Sequence, residues 1–307
     1  MKEGDAALSR RRFLALSGAG VAAVSLGSGL VAPAHAGAPA KKTVPPSRYP
    51  IGIELYAVRG ELARNLPATL NAVSQMGYEA VEFYAPYLGW TFPYAKEVRA
   101  RLDDLGLRCY STHNSFAALT PGNTMTKAIE LNQIIGARHI ILASPPAAKT
   151  LDDWMRVSGQ LSAAVETFKP HGLSAGFHNH LIEWKTIDGG KRVMDVLAAN
   201  TPAEFVLQFD VGTCLEAGED PVAWIKANPG RIRSLHLKDW APGSDADQKG
   251  FRVLFGEGVG PWKDIIAAAE SVGGVEFYLM EQEGSRYPEL ETAQRCLDTW
   301  RTMRKAG

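Results

Sequence analysis

A strand with two unlike faces is predicted by the stretch Ser234-Leu235-His236-Leu237-Lys238-Asp239-Trp240, in which leucine alternates with polar residues. Its second half carries side chains that bind metal ions or transfer protons. Two other apolar runs end in the same way, the run 205–210 in Asp210 and the run 275–281 in Glu281. Three successive predicted strands therefore each finish on a candidate metal ligand, and a parallel barrel would gather these residues at one end.

The rest of the chain alternates short apolar runs with helical patterns, which is typical of a parallel α/β domain. We predict strands at 51–55, 80–84, 107–112, 139–143, 173–178, 205–210, 232–237 and 275–281. We predict helices at 62–76, 94–105, 121–135, 152–168, 191–199, 221–227, 262–272 and 289–305. Eight strand–helix pairs in about 255 residues indicate a (β/α)8 TIM barrel that forms a single domain over residues 49–307. A doubly wound sheet would normally carry a Gly-rich turn after its first strand, and Ile53-Glu54-Leu55-Tyr56-Ala57 is not such a turn.

The first residues indicate export rather than fold. Ser9-Arg10-Arg11-Arg12-Phe13-Leu14 precedes a Gly- and Ala-rich run, and Ala34-His35-Ala36 follows as a cleavage signal. We therefore predict a twin-arginine signal peptide at 1–36, a flexible linker at 37–48, and a periplasmic protein. Alanine, glycine and serine dilute the apolar run, so no stable membrane anchor is expected.

Composition excludes several functional classes. The chain has 307 residues, and its 33 basic residues balance its 33 acidic residues, so no nucleic-acid partner is expected. The three cysteines are scattered and form no CxxC pair, which predicts neither a disulfide framework nor a cysteine metal site. Homo-oligomerisation is left open by the sequence.

Ionisable residues recur at the carboxyl ends of the predicted strands, the face that carries the active site in such barrels. A barrel without a site there would gain nothing from them, because an unpaired buried charge is costly. The candidate site residues at or just beyond these ends are Glu54, Glu82, His113, His178, His180, Glu183, Asp210, His236, Lys238, Trp240 and Glu281.

Several of these residues belong to a set of motifs in a specific order. The motifs are Gly176-Phe177-His178-Asn179-His180, Phe209-Asp210-Val211-Gly212, His236-Leu237-Lys238-Asp239, Gly256-Glu257-Gly258 with Trp262, and Glu281-Gln282-Glu283. Together they resemble the sugar phosphate isomerase/epimerase family, whose members have a xylose isomerase-like TIM barrel. The resemblance covers essentially everything after the export segment.

The resemblance implies one divalent metal ion, with Asp210, His236 and Glu281 matching family ligands directly. His178 stands where the family has a glutamate, and Glu183 is the alternative residue to complete the metal shell. Thr213 stands where the family often has a histidine. A mixed carboxylate and imidazole set favours Mn or Zn over Ca, and we expect Mn, with Zn, Mg or Co as alternatives.

The residues suggest metal-assisted removal of a proton next to a carbonyl. Glu281 would be ligand and base, and His178 or His180 would transfer the proton. Lys238 would hold a substrate oxygen. The other residues expected to bind substrate are Glu54, Glu82, His113, Glu183 and Trp240, with a buried ion pair as the alternative for Glu54 and Glu82.

The partner expected from these features is a small carbohydrate, namely a non-phosphorylated sugar or keto-sugar. An isomerase or epimerase is the leading interpretation. A 3-keto-glycoside lyase or hydratase comes second, because His178 replaces one of the paired glutamates that two-base epimerisation uses. An exported sugar-binding barrel without activity is the third alternative. A nuclease like endonuclease IV is disfavoured by zero net charge and a single apparent metal set.

Overall fold

The structure, a computed structural model, describes residues 48–305. The predicted signal peptide and nearly all of the predicted linker lie outside these residues. In the described part, no helix combines the length and the apolar character needed to cross a membrane.

Eight parallel strands form a closed barrel in sequence order, with β8 pairing with β1. The strands are β1 Ile51–Glu54, β2 Ala80–Phe83, β3 Arg108–Ser115, β4 His139–Ser144, β5 Ser174–His178, β6 Val206–Asp210, β7 Ser234–Leu237 and β8 Phe277–Met280. The (β/α)8 fold predicted from the sequence is therefore confirmed.

Helices surround the strands and cover their outer faces. They are α1 Arg59–Arg64, α2 Leu66–Met76, α3 Phe92–Leu105, α4 Asn123–Ile135, α5 Leu151–Phe168, α6 Val193–Ala199, α7 Val211–Glu216, α8 Pro221–Ala227, α9 Trp262–Ala268 and α10 Glu289–Lys305. The predicted bounds of α8 and α10 are confirmed, and most other bounds differ by one to three residues.

Two helix predictions were wrong in detail, and one helix was not predicted. The helix predicted at 62–76 is divided at Asn65, whose side chain accepts a hydrogen bond from the Ala68 amide at 3.0 Å and so begins α2. The helix α7 was not predicted, and it begins where the side chain of Asp210 caps the Thr213 amide. The helix predicted at 262–272 ends at Ala268 and continues as one π-helical turn.

The alternation of leucine with polar residues in the stretch 234–240 determines which side chains of β7 face the interior of the barrel. Leu235 and Leu237 belong to the apolar core between strands and helices, whereas His236 lies between them in the strand and therefore faces the barrel interior. Each fully buried leucine stabilises the fold by about 2 kcal/mol. The same packing that holds β7 in place thus fixes the direction of His236.

Close strand contacts position the end of β5. A Cβ atom on Gly176 would lie 2.8 Å from the Val206 carbonyl oxygen and 2.5 Å from the Ile141 side chain. Glycine is therefore required at this position for the close approach of β5 to its neighbours. This approach sets the location of His178, two residues further along β5.

Candidate metal centre

Four predicted metal ligands lie at the carboxyl ends of neighbouring strands. His178 and Asp210 are the last residues of β5 and β6, His236 lies in β7, and Glu281 directly follows β8. Asp210 and His236 are paired in register. All four side chains are buried, with at most 5% of their surface exposed.

Asn179, which the sequence analysis quoted in a motif without assigning it a role, connects the ends of β5 and β6. Its side-chain oxygen accepts a hydrogen bond from the Asp210 amide at 3.0 Å, and its amide group donates to the Asp210 carbonyl at 3.1 Å. Asp210 Oδ1 in turn accepts from the Thr213 amide at 2.8 Å. The backbone and one carboxylate oxygen of Asp210 are thereby fixed, while Oδ2 has no hydrogen-bond partner within residues 48–305.

His178, Asp210 and Glu281 form what we call the carboxylate group. Each offers one ligand atom, and the three atoms lie within 4.8 Å of one another. His178 Nε2 is 3.8 Å from Asp210 Oδ2. His236 adjoins this group through a hydrogen bond between its Nδ1 and Glu281 Oε2. The predicted ligands are therefore brought together at one place.

Lys238 lies against the carboxylate group. Its Nζ is 3.1 Å from Glu281 Oε1 and 3.6 Å from Asp210 Oδ2, and it also donates to Glu283. Burial disfavours the charged amine, but Glu281, Asp210 and Glu283 raise the pKa of Lys238 well above its usual range. The ammonium group thus serves as a counter-ion to these carboxylates, and substrate binding by Lys238 stays a prediction.

A second cluster, which we call the histidine group, consists of His113, His178 and His236. Their ligand atoms also lie within 4.8 Å of one another. The rings of His113 and His236 stack with centroids 5.1 Å apart, and the His178 ring is 4.4 Å from that of His236. Glu82 Oε2 lies 2.9 Å from His236 Nε2 and 3.1 Å from His113 Nε2. His178 is common to the histidine group and the carboxylate group.

Glu82 and Glu54, both predicted to bind substrate, are buried beside the histidine group. Glu82 Oε1 accepts from Gln208 at 2.9 Å and from Ser111. Glu54 Oε2 accepts from the Tyr56 amide at 2.8 Å, and Glu54 Oε1 lies 3.9 Å from His113 Nδ1. The contacts of Glu82 with His236 and His113 match the buried-ion-pair alternative, and direct substrate contact stays a prediction for both glutamates.

The cluster holds charges of both signs. Burial would raise the pKa of Glu82, but His113 and His236 outweigh burial and lower it to about 2. Burial opposes charge on His236, yet Glu82 and Glu281 raise its pKa well above the usual range. The pKa of Glu54 is raised well above its usual range by burial and then by Glu281 and Glu82.

Burial shifts the pKa of each remaining ligand candidate in the direction that favours its neutral form. Burial raises the pKa of Asp210 to about 6, with Lys238 opposing the rise and Glu281 adding to it. Burial and then His236 lower the pKa of His178 well below its usual range. A neutral imidazole keeps a lone pair for a metal ion or a proton. His178 is therefore suited to both predicted roles.

Among the described residues, His180, Glu183 and Trp240 belong to neither the carboxylate group nor the histidine group. The His180 ring is edge-on to that of His178 at 4.9 Å, and 45% of its side chain is exposed. Glu183 accepts from the His180 amide at 2.7 Å, and burial raises its pKa to about 7. Among the described residues, Glu183 belongs to no three-residue ligand group. Trp240 is half-buried beside the loop that follows β7.

Asp239 anchors that loop, a role that the sequence analysis missed. Its carboxylate accepts from the amides of Gly256 at 2.9 Å and Gly258 at 3.0 Å, and from the indole of Trp262 at 2.8 Å. A Cβ atom on Gly258 would lie 2.2 Å from Asp239 Oδ1. The sequence signal for this role was the motif Gly256-Glu257-Gly258 with Trp262. The anchored loop places the Phe251 ring 4.9 Å from Lys238 Nζ.

The chemistry of these residues fits a divalent cation. Within the described range, ten buried side-chain atoms lack a hydrogen-bond partner, and five of them lie in this cluster: Glu54 Oε1, Glu82 Oε2, His178 Nδ1, Asp210 Oδ2 and His236 Nε2. Buried polar atoms are normally bonded, so such a concentration at one place indicates a missing partner. Carboxylate oxygens and imidazole nitrogens together are ligands for Zn or Mn.

Comparisons with known proteins agree with the fold. A family model described as a xylose isomerase-like TIM barrel matches residues 70–303. The inosose dehydratase of Mesomycoplasma hyopneumoniae is 28% identical over 153 residues, which cover 44% of this chain and 49% of that protein. The chain thus spans about half the length of the curated relatives it matches.

Two solved structures share the barrel. A sugar phosphate isomerase/epimerase from Parabacteroides distasonis has a TM-score of 0.69 at 23% identity, covering 82% of this chain and 93% of that one. The IOLI protein with a bound zinc atom has a TM-score of 0.63 at 12% identity, covering 81% of this chain and 97% of that one. At these identities the likeness is one of fold.

Proposed function

This chain belongs to the xylose isomerase-like TIM barrel family, and on that premise we propose that it is a metal-dependent carbohydrate isomerase or epimerase. The reaction removes a proton from the carbon next to a sugar carbonyl and returns one to the substrate. The proposed substrate is a non-phosphorylated sugar or keto-sugar.

The carboxylate group is the observation that carries the proposal. His178, Asp210 and Glu281 present three ligand atoms within 4.8 Å, and they would hold the ion with His236 adjoining Glu281. A divalent ion there supplies Lewis acidity that polarises a substrate carbonyl. We propose Mn or Zn, since the set contains imidazole as well as carboxylate.

Proton transfer is assigned to groups in and beside this set. Glu281 is the base, because one of its oxygens faces Lys238 and the other faces His236, so the carboxylate is held in a fixed orientation. His178 is the second proton-transfer group, because burial keeps its imidazole neutral. His180 packs against His178 and is partly exposed, and so connects it to solvent.

A second candidate function is β-elimination by a lyase or dehydratase acting on a keto-sugar or 3-keto-glycoside. It is favoured by His178 at the end of β5, since an imidazole in place of a carboxylate leaves Glu281 as the one carboxylate to which we assign the role of base. The curated relatives named as inosose dehydratases add weight to it. Elimination needs one base next to the ketone and one acid at the leaving oxygen.

The experiment is to incubate the Mn- or Zn-loaded protein in D2O with a panel of ketoses and 3-keto-glycosides. Deuterium incorporation at one carbon with the glycosidic bond intact supports isomerisation or epimerisation. Release of water or of the aglycone supports elimination. Asp210→Asn is the matched variant, because asparagine retains the oxygen that caps α7 and removes the charge. Absence of exchange with every substrate would contradict both reactions and leave the sugar-binding barrel.

The periplasmic location is also a proposal, and it rests on the N-terminal sequence. Replacing Arg10 and Arg11 with lysine should keep the protein in the cytoplasmic fraction if the twin-arginine route is used. Fractionation of cells that produce either form measures this. Equal periplasmic amounts of the two forms would contradict the proposed route.

A further inference from the structure

His113 differs from the other two members of the histidine group in its exposure. Its side chain is 11% exposed, whereas those of His178 and His236 are 3% and 0% exposed. The protein encloses one ring nitrogen of His113: Nε2 is 2.6 Å from Gln208 Oε1 and 3.1 Å from Glu82 Oε2. The other nitrogen, Nδ1, makes no hydrogen bond within residues 48–305.

Gln208, in the middle of β6, is held in one orientation of its side-chain amide. Its Nε2 donates to Glu82 Oε1 at 2.9 Å and to Ser234 Oγ at 3.1 Å. Turning the amide over would place its carbonyl oxygen against the Glu82 carboxylate, and an ionised carboxylate only accepts hydrogen bonds. Gln208 Oε1 therefore faces His113 as an acceptor.

This acceptor determines which nitrogen of His113 carries the hydrogen. A neutral imidazole has one N–H donor and one bare acceptor nitrogen, and the hydrogen bond of one nitrogen sets the state of the other. Because both neighbours of Nε2 are accepting oxygens, the hydrogen lies on Nε2 and the lone pair on Nδ1. Burial, the largest influence on the pKa of His113, lowers it and so favours the neutral ring.

The lone pair on His113 Nδ1 is not used by its carboxylate neighbour. Glu54 Oε1 lies 3.9 Å from Nδ1, which is too far for a hydrogen bond. Across residues 48–305, Glu54 Oε1 also lacks a hydrogen-bond partner. An oxygen atom placed between the two would lie about 2.8 Å from each, within hydrogen-bond distance of both. A hydroxyl group there would donate its hydrogen to Nδ1.

We propose that Gln208 is a positioning residue: by holding the hydrogen of His113 on Nε2, it makes Nδ1 the acceptor for one hydroxyl group of the substrate sugar. This role rests on the proposed function, because it assigns a contact of the same substrate. It is separate from the ion, which is assigned to His178, Asp210 and Glu281. Without Gln208 the hydrogen can move to Nδ1, where it would face the hydroxyl and end the contact.

The first test is the tautomer of His113, observed by NMR in chelator after 15N labelling of the histidine rings. The chain has only seven histidines, and the signals that vanish in His113→Gln identify the residue. Long-range 1H–15N correlations then distinguish a ring protonated on Nε2 from one protonated on Nδ1. We expect Nε2–H in the wild type and a mixture of both tautomers in Gln208→Met, in which Glu82 is the acceptor that remains.

Gln133→Met is the matched control for this substitution. Gln133 is an exposed glutamine of α4 that donates to the His171 carbonyl, outside the site. It should leave the His113 signals unchanged. Circular dichroism verifies that each variant folds.

The second test uses the sugar that exchanges deuterium and its analogues, each of which lacks one hydroxyl. For one analogue, KM with the wild type should be about tenfold higher than for the parent sugar, since one hydrogen bond is lost. That ratio should fall to about twofold or less in His113→Gln and Gln208→Met, and should persist in Gln133→Met.

A His113 hydrogen on Nδ1 in the wild type would overturn the proposal without any variant. So would an unchanged single tautomer in Gln208→Met, or an analogue ratio that Gln208→Met and His113→Gln both retain. Absence of deuterium exchange with every sugar would refute the proposed function and, with it, the hydroxyl contact. The tautomer of His113, which is measured without sugar, distinguishes that failure from a failure of the role of Gln208.

Discussion

Replacing Lys238 with methionine should destabilise the barrel strongly when no divalent ion is bound. The ammonium group lies 3.1 Å from Glu281 and 3.6 Å from Asp210 and is almost fully buried. Methionine fills a similar volume without charge. The substitution therefore leaves two buried carboxylates facing each other without their cation.

The size of the effect follows from these distances. With an effective dielectric constant of about 20, each contact is worth about 5 kcal/mol of Coulomb energy. The lysine also loses hydration on burial, which offsets several kcal/mol of this gain. We expect a net loss of about 3–5 kcal/mol in the free energy of unfolding, as is usual when one partner of a buried ion pair is removed.

The assay is urea unfolding of wild type and Lys238→Met, first in chelator and then with saturating Zn²⁺. Because a divalent ion supplies the missing positive charge, the loss should shrink to about 1 kcal/mol with metal, and Zn²⁺ should bind the variant more tightly. Lys226→Met, at an exposed site in α8, should change stability by less than about 0.5 kcal/mol. Equal stability of wild type and Lys238→Met in chelator would refute the reasoning, and so would a loss that metal does not reduce.

Three further predictions concern single carboxylates. Asp210→Asn should weaken Zn²⁺ binding by about 100-fold in a calorimetric titration, since a charged ligand is lost; unchanged affinity would remove Asp210 from the metal site. Burial raises the pKa of folded Glu183 to about 7, so its protonated form stabilises the fold fully below about pH 4. That contribution, about 3 kcal/mol, is lost as the pH rises through 7. Urea unfolding of Glu183→Gln from pH 4 to 8 should therefore show a flatter dependence than wild type, and identical slopes would contradict the shift. Asp239→Asn should cost about 2–3 kcal/mol, since an NH2 group would face amide donors. Limited proteolysis should then cut the segment 241–261 faster than in wild type, and an unchanged rate would argue against the anchor.

The positions of the strands could be predicted from the sequence because a short apolar run is compatible with few structures other than a buried strand. The alternation around His236 and the carboxylates that end neighbouring runs were enough to place three candidate ligands at one end of a barrel. The helix α7 was not predictable in the same way. It has only six residues, Val211–Glu216, which are too few to show the helical pattern of apolar residues. Its start also depends on a capping contact from Asp210.

The partners of the charged residues were harder to predict than their positions. The carboxylate partners of Lys238 could not be predicted, because the sequence does not say which carboxylates from other strands lie within 4 Å of its amine. Gln208 was not singled out either, although its side chain connects Glu82 with His113. Such contacts join residues that are far apart in the sequence, and local patterns contain no information about them.

The antiparallel bridge between Ala241 and Gly250 separates two parts of the loop after β7. Residues 242–249 beyond the bridge are exposed, whereas the Asp239 contacts fall on residues after it. The length and sequence of this tip, residues 242–249, can therefore vary without disturbing the anchored remainder of the loop. A barrel built this way can acquire a new rim by insertion at one hairpin, while the buried residues at the ends of its strands stay unchanged.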